Sequence, residues 1–183
     1  LMFKDTETWI VAGQDINQWE NNIFPLSTTI GCPAPLTLKT VNLAVEPGAG
    51  INRSLAIWQG SSGIYMSDGR APIPIHNDIK EYFDMNDARC ITLSKIGDSI
   101  GFVDSSKQEY HWLFANATST TINKELVYDI KRNKWFEIDR GSGMDLQCGL
   151  NVEDTNGNQY TYGFIDTGYM ERLEYGNTFD GND

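Results

Sequence analysis

Two histidines, His76 and His111, are the only residues of their kind in this 183-residue chain, and they are the first places to look for proton-transfer chemistry. A general base needs a nucleophile or a carboxylate within hydrogen-bond reach. His111 falls between Tyr110 and Trp112, on the face of a strand opposite the aromatics, and reads as an ordinary strand position. His76 follows Pro72 and Pro74 in a proline-rich turn and carries no catalytic signal either. Asp154-Thr155-Asn156-Gly157-Asn158 sets oxygen ligands at alternate positions, as at the start of a calcium loop. Ile165 stands where such a loop needs its distal Glu, and Tyr160 and Tyr162 occupy loop positions with strand residues, so a polar hairpin turn is expected instead. The carboxylates Glu7, Glu20, Glu81, Asp84 and Asp87 are scattered, and a glycosidase pair is defined by a separation in space.

Cys32, Cys90 and Cys148 are odd in number and form no Cys-x-x-Cys motif, which predicts three small buried thiols in a chain made in a reducing cytoplasm. Asn52-Arg53-Ser54 and Asn116-Ala117-Thr118 match the glycosylation pattern only at the level of chance. Trp9, Trp19, Trp58, Trp112 and Trp135 could build a sugar platform, but core packing is the expected role. No catalytic, cofactor-binding or metal-binding residue is assigned, no cofactor is implied, and the chain is not expected to be an enzyme.

Charge narrows the partners. There are 14 Lys and Arg against 25 Asp and Glu, a formal net charge of -11. Duplex binding draws its affinity from clustered cations, and the one basic cluster, Lys131-Arg132-Asn133-Lys134, sits in an expected turn. Direct nucleic-acid binding is therefore not expected. No stretch approaches the roughly 20 apolar residues that span a bilayer. The chain opens at Leu1, directly in strand-like sequence, and reads as part of a longer product.

The elements that would position these residues are strands. Asn77–Phe83 is the one helical candidate, with Asn77 as a cap. Elsewhere apolar residues alternate with period two, as in Tyr110, Trp112 and Phe114; in Leu126, Tyr128 and Ile130; in the even positions from Leu146 to Val152; and in Tyr160, Tyr162 and Phe164. Turns fall at Gly60-Ser61-Ser62-Gly63, Asp104-Ser105-Ser106-Lys107, Lys131-Arg132-Asn133-Lys134 and Asn156-Gly157, the last with the signature of a type I′ turn. These are successive antiparallel hairpins. Tyr110, Trp112 and Phe114 recur as Tyr160, Tyr162 and Phe164 at a spacing of 50. Four short strands in about 50 residues is the period of a β-propeller blade, which hides its two apolar faces only by stacking on neighbours. The expected fold is all-β: a β-propeller fragment of about three four-stranded antiparallel blades, near 54–84, 96–139 and 145–176, in a single domain over 1–183. A β-sandwich is the competing architecture. Blade edges left unpaired would invite association between copies.

The run Ser27-Thr28-Thr29-Ile30-Gly31-Cys32-Pro33-Ala34-Pro35 is followed by Ile57-Trp58-Gln59-Gly60-Ser61-Ser62-Gly63-Ile64-Tyr65-Met66-Ser67-Asp68-Gly69, then by Ile73-Pro74-Ile75-His76 and Leu126-Val127-Tyr128-Asp129 through Trp135. In that order it resembles propeller-type structural proteins of tailed bacteriophages, similar to packaged-DNA stabilisation and tail accessory proteins, over most of residues 27–139. The resemblance implies a virion protein made in the bacterial host cytoplasm. It implies a scaffold in the neck or tail that contacts other virion proteins, with no catalytic residues to carry over. Val-Tyr-Asp followed by Trp also resembles kelch-type interaction propellers. A carbohydrate-binding or glycoside-hydrolysing propeller is the third possibility.

Overall fold

The computed structural model describes residues 1–13, 15–44, 52–141 and 143–173, with backbone alone at 43, 44, 52 and 53. It is mostly β. Among the described residues fourteen strands form four antiparallel meanders, each built from consecutive segments of the chain. The first holds β1 (Met2–Phe3), β2 (Thr8–Val11) and β3 (Ile23–Ser27). The second holds β4 (Lys39–Ala44), β5 (Asn52–Gln59), β6 (Ile64–Ser67) and β7 (Ile73–Pro74). The third holds β8 (Ile100–Asp104), β9 (Glu109–Phe114), β10 (Lys124–Asp129) and β11 (Lys134–Ile138). The fourth holds β12 (Leu146–Glu153), β13 (Gln159–Ile165) and β14 (Met170–Arg172).

Of the expected blade ranges, 54–84 omits β4, with which the second sheet begins at Lys39. The range 96–139 brackets β8–β11, and 145–176 brackets β12–β14, with 174–176 outside the described residues. The helical candidate Asn77–Phe83 forms as a 3₁₀ segment broken at Ile79 (φ -131°, ψ 23°). Seven residues are too few to nucleate a stable α-helix, and the buried Ile79 and Tyr82 side chains fix its course. A one-turn α-helix, Ile16–Trp19, is capped by Asp15, whose side chain accepts from the Asn17 N–H.

The hairpins close in a recurring way. Asp104, Asp129 and Asp154 stand 25 residues apart, each at the start of a turn. The Oδ1 of Asp104 accepts from the Ser106 and Lys107 N–H groups at 2.9 and 3.0 Å, that of Asp129 from Arg132 at 2.8 Å, and that of Asp154 from Asn156 and Asn158 at 2.8 and 2.9 Å. Each carboxylate thereby satisfies turn N–H groups that the ladder leaves unpaired. A left-handed residue finishes each turn: Gln108 (φ 61°), Asn133 (φ 54°) and Gly157 (φ 83°). Asn156-Gly157 is therefore not a type I′ turn, which needs two left-handed residues; a type I turn is followed by one left-handed glycine.

Packing follows chain order. Tyr110, Trp112, Phe114, Leu126 and Tyr128 of the third sheet bury against Leu55, Ile57, Ile64 and Ile75 of the second sheet and its trailing segment. Hydrogen bonds tie the same interface. The Tyr110 hydroxyl donates to the Thr37 carbonyl (2.9 Å) and Trp112 Nε1 to Gln59 Oε1 (2.8 Å). The opposite face of the third sheet, with Phe102 and Leu113, packs on Leu146 and Ile165 of the fourth. The Gly149 backbone lies so close to the Phe102 ring that a Cβ would stand 2.7 Å from it. Trp58 and Tyr65, on the other face of the second sheet, pack with Cys32 and Phe3 toward the first sheet, the Phe3 and Trp58 rings 4.9 Å apart. The first strands of the second, third and fourth sheets lie side by side, β4 and β12 both against β8, and Asn151 Nδ2 donates to the Val103 carbonyl.

The repeat read at a spacing of 50 slips in space. Trp112 faces the second sheet, whereas the face of the fourth sheet turned toward the third carries Gly149, Asn151 and Thr161. Tyr160 and Tyr162 point the other way. A one-residue change of register moves every side chain to the opposite face, and a bulge between Leu146 and Cys148 marks the irregularity in this sheet.

Candidate functional site

A buried group of ionisable side chains, His111, Glu125 and Arg140, lies on the face of the third sheet that is turned toward the fourth. The register sets His111 opposite Val127 and Phe102, and places Glu125 one step along the same face of β10. His111 Nδ1 and Glu125 Oε1 are 2.7 Å apart. Arg140, just beyond β11, folds back and donates from Nε to Glu125 Oε2 (2.6 Å) and from Nη2 to Oε1 (2.9 Å). The Phe102 ring stacks on the imidazole at 4.3 Å. His111 is 2% exposed and Glu125 5%. His111 Nε2 makes no hydrogen bond and stands 3.9 Å from Glu109 Oε2. Burial pushes the Glu125 carboxyl up, but hydrogen bonds from His111 and Arg140 outweigh it and hold the group below the usual carboxylate range. Beside it is a polar cleft of about 120 Å³, lined by Lys124, Asp139, Arg140, Met144 and Asp145 among others. Burial, then Asp166 and Asp139, raise the Asp145 carboxyl.

This arrangement ties rather than reacts. The imidazole is sealed under Phe102, its Nδ1 is committed to Glu125, and both carboxylate oxygens of Glu125 are held by Arg140. Such a buried group fixes relative geometry more than it adds net stability. His111 occupies a strand position on the face opposite Tyr110 and Trp112, and that face too is buried. Leu113 and Val127, apolar on the same face, are the signal of a sheet covered on both sides.

The other residues singled out are not brought together. His76 packs between the Tyr65 and Phe83 rings with Nδ1 3.0 Å from the Ile64 carbonyl. The Asp154 carboxylate is filled by its own turn and by Asn158 Nδ2 (2.9 Å), which with the backbone bonds lowers its pKa. Glu7 bonds Lys4 and Trp9 Nε1. Glu81 and Asp87 share Arg89, whose hydrogen bonds pull the Asp87 carboxyl down to about 2, too acidic for a proton donor at neutral pH. Asp84 accepts from the Asn86 N–H, and Glu20 ends the short α-helix far along the chain from both. Among the described residues no cluster of His, Cys, Asp or Glu is disposed to hold a metal, and no helix is long and apolar enough to cross a membrane. Trp58 and Trp112 are core, while Trp19 is exposed. Cys32 is buried, but Cys90 and Cys148 are only half-buried, against the expectation of three buried thiols. Asn116 Oδ1 accepts from Asn123 Nδ2 across a turn; the Asn52 and Arg53 side chains lie outside the described ones.

Exposed apolar residues are spread over the described surface, Ile16, Met85 and Phe136 among them, and both end sheets carry a group of them. On the fourth sheet the pairs Cys148–Phe164, Leu150–Tyr162 and Val152–Tyr160 share the face turned away from the third, joined by Met170 opposite Phe164. Val152 is 41% and Met170 55% exposed. On the first sheet the pairs Met2–Trp9, Trp9–Pro25 and Val11–Ile23 share the face opposite Phe3, turned away from Trp58. Met2 is 50% and Ile23 40% exposed. An apolar groove of about 220 Å³ runs there between Met2, Phe3, Lys4, Trp9 and Ile23. Scattered exposed apolar residues are ordinary, whereas contiguous ones mark contact surfaces. No protein-family model matches the chain, and no curated protein is similar to it.

Proposed function

We propose that the chain is an arc of a β-propeller serving as a structural scaffold in the neck or tail of a tailed-phage virion. It holds neighbouring virion proteins through the outer faces of its end sheets and performs no catalysis. One observation carries the reading: the second and third sheets bury both faces against neighbours in chain order, whereas the first and fourth each present an apolar outer face. A two-sheet sandwich buries one face per sheet, and serial meanders with adjacent first strands are the way propeller blades stack. The net charge of -11 favours protein partners over DNA phosphates. The phage assignment itself rests on the resemblance over residues 27–139.

Mass spectrometry of purified virions from the phage encoding the chain tests this. The chain is expected at stoichiometric level in the particle. Leu150→Asp combined with Tyr162→Asp, which alters only the outer face of the fourth sheet, is expected to leave the purified chain folded by circular dichroism while removing it from particles. Absence of the parent chain from virions, or unchanged incorporation of the variant, would overturn the proposal.

A further inference from the structure

We infer that Asn156 is a site of spontaneous covalent modification: the Gly157 amide nitrogen closes on its side chain, and the asparagine is converted to aspartate and isoaspartate.

Asn156-Gly157 is the one Asn-Gly pair in the chain. Glycine has no side chain to shield its amide nitrogen, and nothing beyond the chain neighbours lies within 4 Å of where a Cβ of Gly157 would stand. Both residues are exposed at the tip of the β12–β13 hairpin. The Asn156 backbone N–H is held by Asp154 Oδ1 at 2.8 Å, but its carboxamide makes no hydrogen bond among the described residues. Neighbouring asparagines are placed differently. Asn151 Nδ2 donates to the Val103 carbonyl, and its Oδ1 accepts from the Thr161 hydroxyl (2.8 Å). Asn158 Nδ2 donates to Asp154 Oδ2 (2.9 Å), and Asn133, in the β10–β11 turn, accepts from the Tyr128 hydroxyl. Val152, Gln159 and Lys134 follow them, each with a side chain beside the nitrogen that would have to attack.

The conversion consumes only water. The Gly157 nitrogen bonds to Cγ of Asn156, the Cγ–Nδ2 bond breaks, and the Gly157 amide proton leaves with Nδ2 as ammonia. The product is a five-membered cyclic imide. Water then opens it at either carbonyl, with no change of oxidation state. Opening at Cγ leaves aspartate in an ordinary backbone. Opening at the main-chain carbonyl leaves isoaspartate, the chain then running through Cβ and Cγ. The Gly157 N–H donates to the Asp154 carbonyl (3.0 Å), so the turn must open before the ring closes. A hairpin tip on an end sheet opens locally before the molecule unfolds. Both products disturb the turn that Asp154 organises. The new carboxylate falls two residues from Asp154, whose carboxyl is held below its usual range by hydrogen bonds from Asn158 and the Asn156 N–H. Isoaspartate lengthens the backbone between the N–H groups of residues 156 and 158, both of which Asp154 Oδ1 binds.

The purified chain, held for several weeks at neutral to mildly alkaline pH and body temperature, tests this. Anion exchange should resolve a species one negative charge beyond the parent's formal -11. Peptide mapping by mass spectrometry should place a gain of about 1 Da at residue 156, rising to about 3 Da in water labelled with oxygen-18 because solvent supplies the new oxygen. Conversion at Asn156 should outpace that at Asn151 and Asn158 at least tenfold, and Gly157→Ala should slow it at least tenfold. Should Gly157→Ala fail to fold, Asn156→Gln decides: the acidic species should disappear, because the longer side chain closes its ring far more slowly. An intact Asn156 at the end of the incubation, earlier conversion of another asparagine, conversion undiminished in Gly157→Ala, or an acidic species undiminished in Asn156→Gln would overturn the inference.

Discussion

Glu125 ties the third sheet to the segment that follows it, through His111 and Arg140. Replacing it with Gln leaves the Arg140 guanidinium and the His111 ring buried without their carboxylate. Breaking one partner of a buried charged group costs about 3–5 kcal/mol. Urea unfolding of Glu125→Gln should therefore give an unfolding free energy lower by that amount, seen as a lower midpoint at unchanged slope. Because its folded pKa lies below the ordinary 4.5, Glu125 contributes stability that is present above pH 4.5 and is lost as pH falls through the folded value. Asp145 has the opposite sign: its folded pKa lies above the ordinary 3.8, so its ionisation weakens the fold as pH rises. Asp145→Asn should be more stable than the parent at pH 7 and equal to it below pH 3, read from thermal unfolding at both pH values. Neither behaviour was legible in the sequence. Glu125 and Arg140 are 15 residues apart and meet only because the chain turns back after β11.

At the scale of elements, period two located the strands, and Gly, Asp and Asn located the turns. What alternation does not reveal is which neighbour covers a face. Tyr160, Tyr162 and Phe164 have the same spacing as Tyr110, Trp112 and Phe114, yet the first set lies on an outer face and the second in the core. The bulge after Leu146 is invisible in composition, because its residues fit a regular strand equally well. Two glycines separate the kinds of constraint involved. Gly157 has φ 83° with nothing near its missing Cβ, so Gly157→Ala should cost about 1 kcal/mol of backbone strain. A Cβ at Gly149 would stand 2.7 Å from the Phe102 ring, so Gly149→Ala must shift that ring or the backbone against it, at about 1–3 kcal/mol. Chemical unfolding of the two variants side by side should rank Gly149→Ala as the more damaging.

For the whole molecule, stacking in chain order makes stability uneven. The third sheet is covered on both faces by Trp112, Tyr110 and Phe114 on one side and Phe102 and Leu113 on the other, whereas the end sheets each lean on one neighbour. Truncating a buried aromatic costs about 3–5 kcal/mol, so Trp112→Ala should approach global unfolding, while the exposed Trp19→Ala should change the unfolding free energy by less than about 0.5 kcal/mol. Regions with fewer buried contacts open locally before the molecule unfolds. The most direct measurement is native-state hydrogen exchange on the purified chain, resolved strand by strand. Amides of β9 and β10 are predicted to exchange only through global unfolding, with those of β2, β3, β13 and β14 faster by at least tenfold. Equal protection of β9 and β13, as in two sheets closed on one shared core, would contradict a serial stack with open end faces.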